Sequence, residues 1–190
     1  MGIREIVEGA IALLVLSYVV LIYNNLVQLK HNAAKAWANI DVLLKQRHDE
    51  LPKLVEVCKQ YMRYEQSTLE QIVQARAEVF SARAAADLKE LGQAEQMLRD
   101  GLTHLFALAE NYPDLKADTS FKHLQSRISG LENAIADRRE LYNDSVNLFR
   151  VRIDQFPDLL VARVFRFRPP EMLRFSARET RDVDIKALFG

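Results

Sequence analysis

The sequence predicts an all-α protein, an up-and-down antiparallel four-helix bundle of long, coiled-coil-like helices carried behind an N-terminal transmembrane helix. Three observations predict it. The stretch "GAIALLVLSYVVLIY", residues 9–23, runs for 15 residues without a charge. Beyond it, apolar residues recur at 3-4 spacing along most of the chain, the period of helices that each bury one face. Helix breakers are few, with 6 Gly and 5 Pro in 190 residues, and nothing alternates at a strand period before "VARVFRFR", residues 161–168.

Extended back to Ile6, the apolar stretch holds 18 residues with one acid, Glu8. At 1.5 Å per residue a helix of that length is about 27 Å long, close to a hydrocarbon core of ~30 Å. A cleaved signal peptide wants a basic start and small residues at the cut, and "LIYNNLV" offers no such site. A buried core helix is not normally apolar all round. Tyr18 and Tyr23 suit the membrane–water interface. A single-pass anchor in the cell membrane is therefore expected. Lys30 and Lys35 follow the span, whereas Arg4 precedes it among Glu5 and Glu8. Basic residues favour the cytoplasmic side, which places the short N-terminus outside and the C-terminal domain in the cytoplasm. The expected domains are an anchor over 1–23, a helical bundle over 24–157 and an Arg/Phe-rich tail over 158–190.

Four helical segments are expected after the anchor. The first carries Leu26, Leu29, Ala33, Ala36, Ile40 and Leu43. The second carries Leu51, Leu54, Cys58, Tyr61, Leu69, Ile72 and Val79, then dissolves in "SARAAADLKE". The third runs from Leu91 to Ala109 and is stopped by Pro113. The fourth opens at Asp118, Thr119 or Ser120, all good N-cap types, and is closed by Pro157. Pro52 is read either as the first turn of a new helix or as a kink in a longer one.

Chemistry finds little support. Lys plus Arg and Asp plus Glu number 26 each, so the net charge is zero, and no nucleic-acid partner is implied. Cys58 stands alone, without a disulfide or thiolate cluster. His31, His48, His104 and His123 fall in no zinc spacing. No Ser or Cys lies in a nucleophile elbow, and no glycine loop cradles phosphate. Asp49 and Glu50 read as turn or cap residues rather than a glycosidase pair. A di-iron Glu-x-x-His motif is missing. No cofactor, metal or small-molecule substrate is implied.

Several blocks, in order, carry a family pattern: "YNNLVQLK", "AWANIDVLLKQRHDELPKLVEVCKQY", "EQSTLEQIVQARA", "AENYPDLKAD" and "RRELYNDSV". The chain resembles the LemA family over residues 23–156, with a weaker echo at "RDVDIKALF". The pattern includes Tyr23, Asn24, Leu26, Trp37, Ile40, Asp41, Arg47, Asp49, Pro52, Tyr112, Pro113, Tyr142 and Asn143. Departures are Glu50-Leu51-Pro52-Lys53-Leu54 in place of a Leu-Ile-Pro-Asn-Leu run, Gln60 and Tyr64 in place of Gly and His, and Phe149-Arg150 in place of a second Tyr-Asn pair. The resemblance implies an N-terminal anchor, a short exterior N-terminus and a helical bundle. It supplies no catalytic residues.

An antiparallel return of the last helix sets residues of equal depth to sum to roughly 180. Asp41 is then level with Arg138 and Arg139, Arg47 with Glu132 and Asn133, and Trp37 with Tyr142 and Asn143. Arg138 falls in the apolar phase of its helix, where an unpaired charge is costly, so Asp41 is expected to pair with Arg138 or Arg139 and fix the register. Trp37 is expected to pack near Tyr142. The tail interleaves Arg163, Arg166, Arg168 and Arg174 with Phe165, Phe167 and Phe175. It is read as an interfacial segment over anionic headgroups, or as a tail folded on the bundle or a neighbouring subunit. It is too short an Arg/Phe run to suggest RNA. The function expected is a non-enzymatic, membrane-anchored scaffold or regulator acting by protein contacts, with the bilayer, copies of itself and other membrane proteins as partners. Membrane remodelling and ligand sensing are the alternatives.

Overall fold

The computed structural model describes residues 2–173, and every regular element among them is helical: α1 Ile3–Tyr61, α2 Gln66–Ala84, α3 Leu88–Ala109, α4 Pro113–Ala117, α5 Thr119–Asp154 and α6 Asp158–Val164. Arg174 and Phe175 lie outside the described residues. The described residues divide into two compact units, one of residues 2–40 with 138–172, the other of residues 41–137 with Leu173. Helices α1 and α5 supply residues to both.

Helix α1 is 59 residues long, about 88 Å at 1.5 Å per residue. It absorbs the anchor, the first expected segment and the start of the second. Pro52 neither starts a helix nor stops this one; it lies inside α1. The break comes instead at 62–65, where no Pro or Gly stands. It coincides with a gap in the apolar phase, since Met62 and Leu69 are buried and every residue between them except the half-buried Glu65 and the buried Thr68 is exposed.

The junction of α2 and α3 is closed by backbone. Ala86 takes a left-handed φ of 54°, and the Asp87 amide reaches back to the Ala82 carbonyl at 3.1 Å, the Schellman arrangement that satisfies orphan carbonyls. Asp87 then caps α3, accepting from the Lys89 and Glu90 amides at 3.0 and 2.9 Å. Helix α2 packs along α3. Pro113 does more than stop α3: it opens the short α4 at the position where a missing amide costs nothing. Asp118 caps α5 by accepting from the Phe121 amide at 2.8 Å.

In the second unit the buried residues include Leu44, Leu51, Leu54 and Cys58 of α1, Ile72 and Val79 of α2, Leu98, Leu102 and Leu105 of α3, and Phe121 and Ile128 of α5. The first unit has its own cluster, in which Ile22 and Leu26 of α1 meet Phe149 of α5 and Val161 and Ala162 of α6, flanked by Val19, Leu29, Ile153 and Phe167. Before Ile22, every residue of α1 from Ile3 to Leu21 is exposed except the half-buried Val19, and the stretch is uncharged from Gly9 on. Among the described residues α1 is the one helix long and apolar enough to cross a membrane.

Candidate functional site

The charges of the second unit gather around Arg47. Its side chain is 3% exposed. Arg47 Nη1 donates to Glu132 Oε1 of α5 at 2.8 Å, and Nη2 donates to Glu95 Oε1 of α3. Arg99 Nε lies 3.9 Å from Glu132 Oε2, so two guanidinium groups face two carboxylates and the set is neutral. Such a network is stable only while all its members are present, because removing one strands a buried charge. Glu50, also buried, is held by Lys53 at 3.1 Å and by Arg127 of α5 at 2.9 Å. The Lys53 hydrogen bond is the main cause keeping its carboxyl below the usual range.

Asp41 is bonded by both arms of one guanidinium, that of Arg83 on α2, with Nη2 donating to Oδ2 at 2.8 Å and Nε to Oδ1. The expectation named Arg138 or Arg139 as the partner; the pair seen here is with Arg83, a residue that expectation did not include. The bidentate pair holds the Asp41 carboxyl below its ordinary value. The phase assigned to the last helix also shifts by one residue. Arg138 is exposed and Arg139 is buried.

His48 and Pro52 are linked through α2. A proline at position 52 removes the amide that would bond the carbonyl four residues earlier, which belongs to His48. Arg76 Nε donates to that carbonyl at 3.0 Å, and its Nη2 stands 2.7 Å from His48 Nε2. Arg76 is a donor only, so His48 Nε2 accepts and Nδ1 carries the hydrogen; Nδ1 is buried without a hydrogen-bond partner. Burial first, and the Arg76 charge second, hold the imidazole pKa below 6.5.

The remaining family-pattern residues sit at corners and on the first unit. Tyr112 Oη donates to Glu65 at 3.3 Å, and Tyr61 Oη donates to Asp118 at 3.2 Å. Each phenol is pushed up, Tyr112 mainly by burial and Tyr61 mainly by its bond to Asp118. Trp37 lies against Tyr142 with ring centroids 5.6 Å apart, and the buried Tyr142 hydroxyl donates to the Glu171 carbonyl at 2.8 Å. Asn143 is half-buried; Asn24, Asp49 and Pro52 are exposed. Tyr23 packs against Phe165 in a tilted arrangement and against Phe167 edge to face, at 4.8 and 5.6 Å between centroids.

Chemically, this set does more for architecture than for reaction. The carboxylates around Arg47 face guanidinium groups, and Cys58 is buried with its thiol pushed up to about 12 by desolvation. Among the described residues, no three His, Cys, Asp or Glu gather as metal ligands. An open groove of about 780 Å³ runs beside the α1–α2 turn, lined in part by Val55, Met62, Leu69 and Val73. Arg83, Arg76 and Glu95 are the functional side chains that sequence reasoning missed. Arg83 lay in a stretch read as the end of a helix. Arg76 is found only by asking what replaces the amide lost at Pro52.

An exposed apolar helix running into a helical body pinned by buried ion pairs defines a membrane-associated helical protein. The chain belongs to the LemA family, whose model matches residues 36–187. It is similar to the magnetosome protein MamQ of Magnetospirillum gryphiswaldense, 25% identical over 88% of this chain and 72% of that protein. It is also similar to magnetosome protein MamQ 2 of Paramagnetospirillum magneticum, 23% identical over 78% of this chain and 63% of that one. The chain thus spans about two thirds of the length of these relatives.

Proposed function

We propose that the protein is a non-enzymatic, membrane-anchored scaffold or regulator that works through protein contacts and assembles with copies of itself. The observation that carries this reading is a row of apolar side chains on α5. Leu141, Leu148 and Val151 are all exposed, at i, i+7 and i+10, on a helix outside the anchor. Spacing of that kind lines one helical face, the kind of surface that helical partners cover. The short N-terminus lies outside and the helical body in the cytoplasm. The names of the relatives, magnetosome proteins, fit work at a membrane.

The test is the mass of the protein in lipid nanodiscs and in detergent, beside that of Leu141→Ser/Leu148→Ser. Assemblies in the wild type that shift toward monomers in the variant support the reading. A wild-type monomer at micromolar concentration overturns self-assembly. Protease access from one side of sealed vesicles fixes orientation. A second reading, membrane organisation, is favoured by the segment after α5.

A further inference from the structure

We infer that residues 156–168 form a juxtamembrane collar that lies in the bilayer surface and holds anionic phospholipid headgroups. The inference rests on α1 being the membrane span. Its starting point is where the collar is fastened. Along α1 a covered face begins with the half-buried Val19 and the 5% exposed Ile22, and the residues packed with Ile22 and Leu26 include Val161 and Ala162 of α6. Phe167 packs its edge on Tyr23 and on Phe149, with centroids 5.6 and 6.3 Å apart. The collar is therefore fastened to the anchor's last turns, where its covered face begins at Val19 and Ile22.

Its outer side is not finished as a water-facing surface. Phe156, Leu160, Val164 and Phe165 are 80, 55, 75 and 53% exposed. Leu160 and Val164 stand at i and i+4 on one side of α6, and Phe156 lies in the turn just before it. A patch of this kind on a protein in water is unusual. Here it adjoins an apolar helix that only hydrocarbon covers, so one solvent, the bilayer, covers both.

The charges agree. Arg163, Arg166 and Arg168 are exposed, and they line a cleft of about 350 Å³ with Asp154 and Phe167. The acid within α6, Asp158, is buried and taken by Arg152, so it does not neutralise them. Arg166 has a left-handed φ of 55°, and the Phe167 amide bonds the Ala162 carbonyl at 2.9 Å. This reversal turns Phe167 inward onto the anchor while the three arginines stay outside. Apolar side chains beside arginines, at the level where a span ends, match a phosphodiester headgroup with its acyl chains. Each arginine near such a surface is worth about a fivefold preference for anionic lipid, ~1 kcal/mol.

The full chain in nanodiscs tests this. Environment-sensitive labels are placed singly at Leu160→Cys, Leu14→Cys and Met97→Cys, all at exposed positions, while the buried native Cys58 stays silent. Lipids carrying a quencher on the acyl chain are expected to quench positions 14 and 160 to a similar extent and to leave 97 bright. The emission at 160 is expected to shift further to the blue in phosphatidylglycerol than in phosphatidylcholine, a difference lost in Arg163→Gln/Arg166→Gln/Arg168→Gln. Quenching at 14 with 160 as bright as 97 overturns the collar and leaves the anchor intact. An unquenched 14 overturns the anchor itself and the collar with it. Equal shifts in the two lipids, unchanged by the triple variant, overturn the anionic headgroup assignment.

Discussion

At the scale of the residue, the most informative pairing is that of Pro52 with Arg76. A proline inside a helix leaves a carbonyl without its donor and crowds it with the ring. The guanidinium of a neighbouring helix answers that carbonyl here. Arg76→Met is therefore expected to cost about 1–3 kcal/mol, the penalty for an unsatisfied buried acceptor. In a Pro52→Ala background the helix recovers its own amide, and the same substitution is expected to cost about 1 kcal/mol less. Chemical denaturation of the four proteins measures the coupling, and equal costs in both backgrounds refute it. Arg47 gives a second residue-level prediction. Arg47→Met strands Glu95 and Glu132 and is expected to lose about 3–5 kcal/mol. Adding Glu95→Gln and Glu132→Gln is expected to restore much of the loss, because the repulsion and the buried charges go together.

At the scale of the element, the turns decide more than the helices do. Ala86 occupies a left-handed position that glycine adopts without a Cβ clash. Ala86→Gly is expected to raise stability by about 1 kcal/mol, whereas Asp87→Ala is expected to lower it by a similar amount through loss of the α3 cap. Thermal melts of the two variants, read by circular dichroism, show shifts of opposite sign. The same junctions explain what the sequence could tell. Helical character, the Asp118 cap and the Pro157 terminus were legible because composition and cap chemistry are local. The depth sum put Arg47 beside Glu132 and Trp37 beside Tyr142, since both pairs depend only on one antiparallel return. The Arg83 partner of Asp41 was not legible because the turn at 62–65 has no Pro or Gly, so α2, with Arg83 near its end, could not be placed. Arg138 and Arg139 are adjacent cations, and a 3-4 spacing alone does not say which takes the inward step.

At the scale of the whole molecule, the groups that titrate on the acid side act in one direction. Asp41, Glu50 and Asp118 all have carboxyls held below their ordinary values, by Arg83, by Lys53 and by the Phe121 amide respectively. His48 is held below 6.5 by burial. A group whose pKa is depressed on folding binds more protons when unfolded, so its stabilisation is present at high pH and lost as pH falls. The melting temperature is thus expected to be flat between the ordinary imidazole value of 6.5 and the ordinary thiol value of 9.0, to fall below the first, and to fall again below the ordinary carboxyl values of 4.5 and 3.8; above 9.0 the buried Cys58 thiol, pushed up on folding, makes it fall as well. His48→Gln is expected to remove the first step and leave the second. A profile that rises on acidification contradicts the assignment of these pairs.

The long first helix also orders events in time. With α1 as the proposed membrane span, the ribosome releases that span early, and the membrane can take it up while most of the chain is still unmade. Yet Ile22 and Leu26, at the end of that anchor, are covered by Phe149, Val161 and Ala162, more than a hundred residues downstream. At typical synthesis rates those residues follow after on the order of ten seconds. For that interval the inner face of α1 has no cover of its own, and a chaperone or the lipid surface must shelter it.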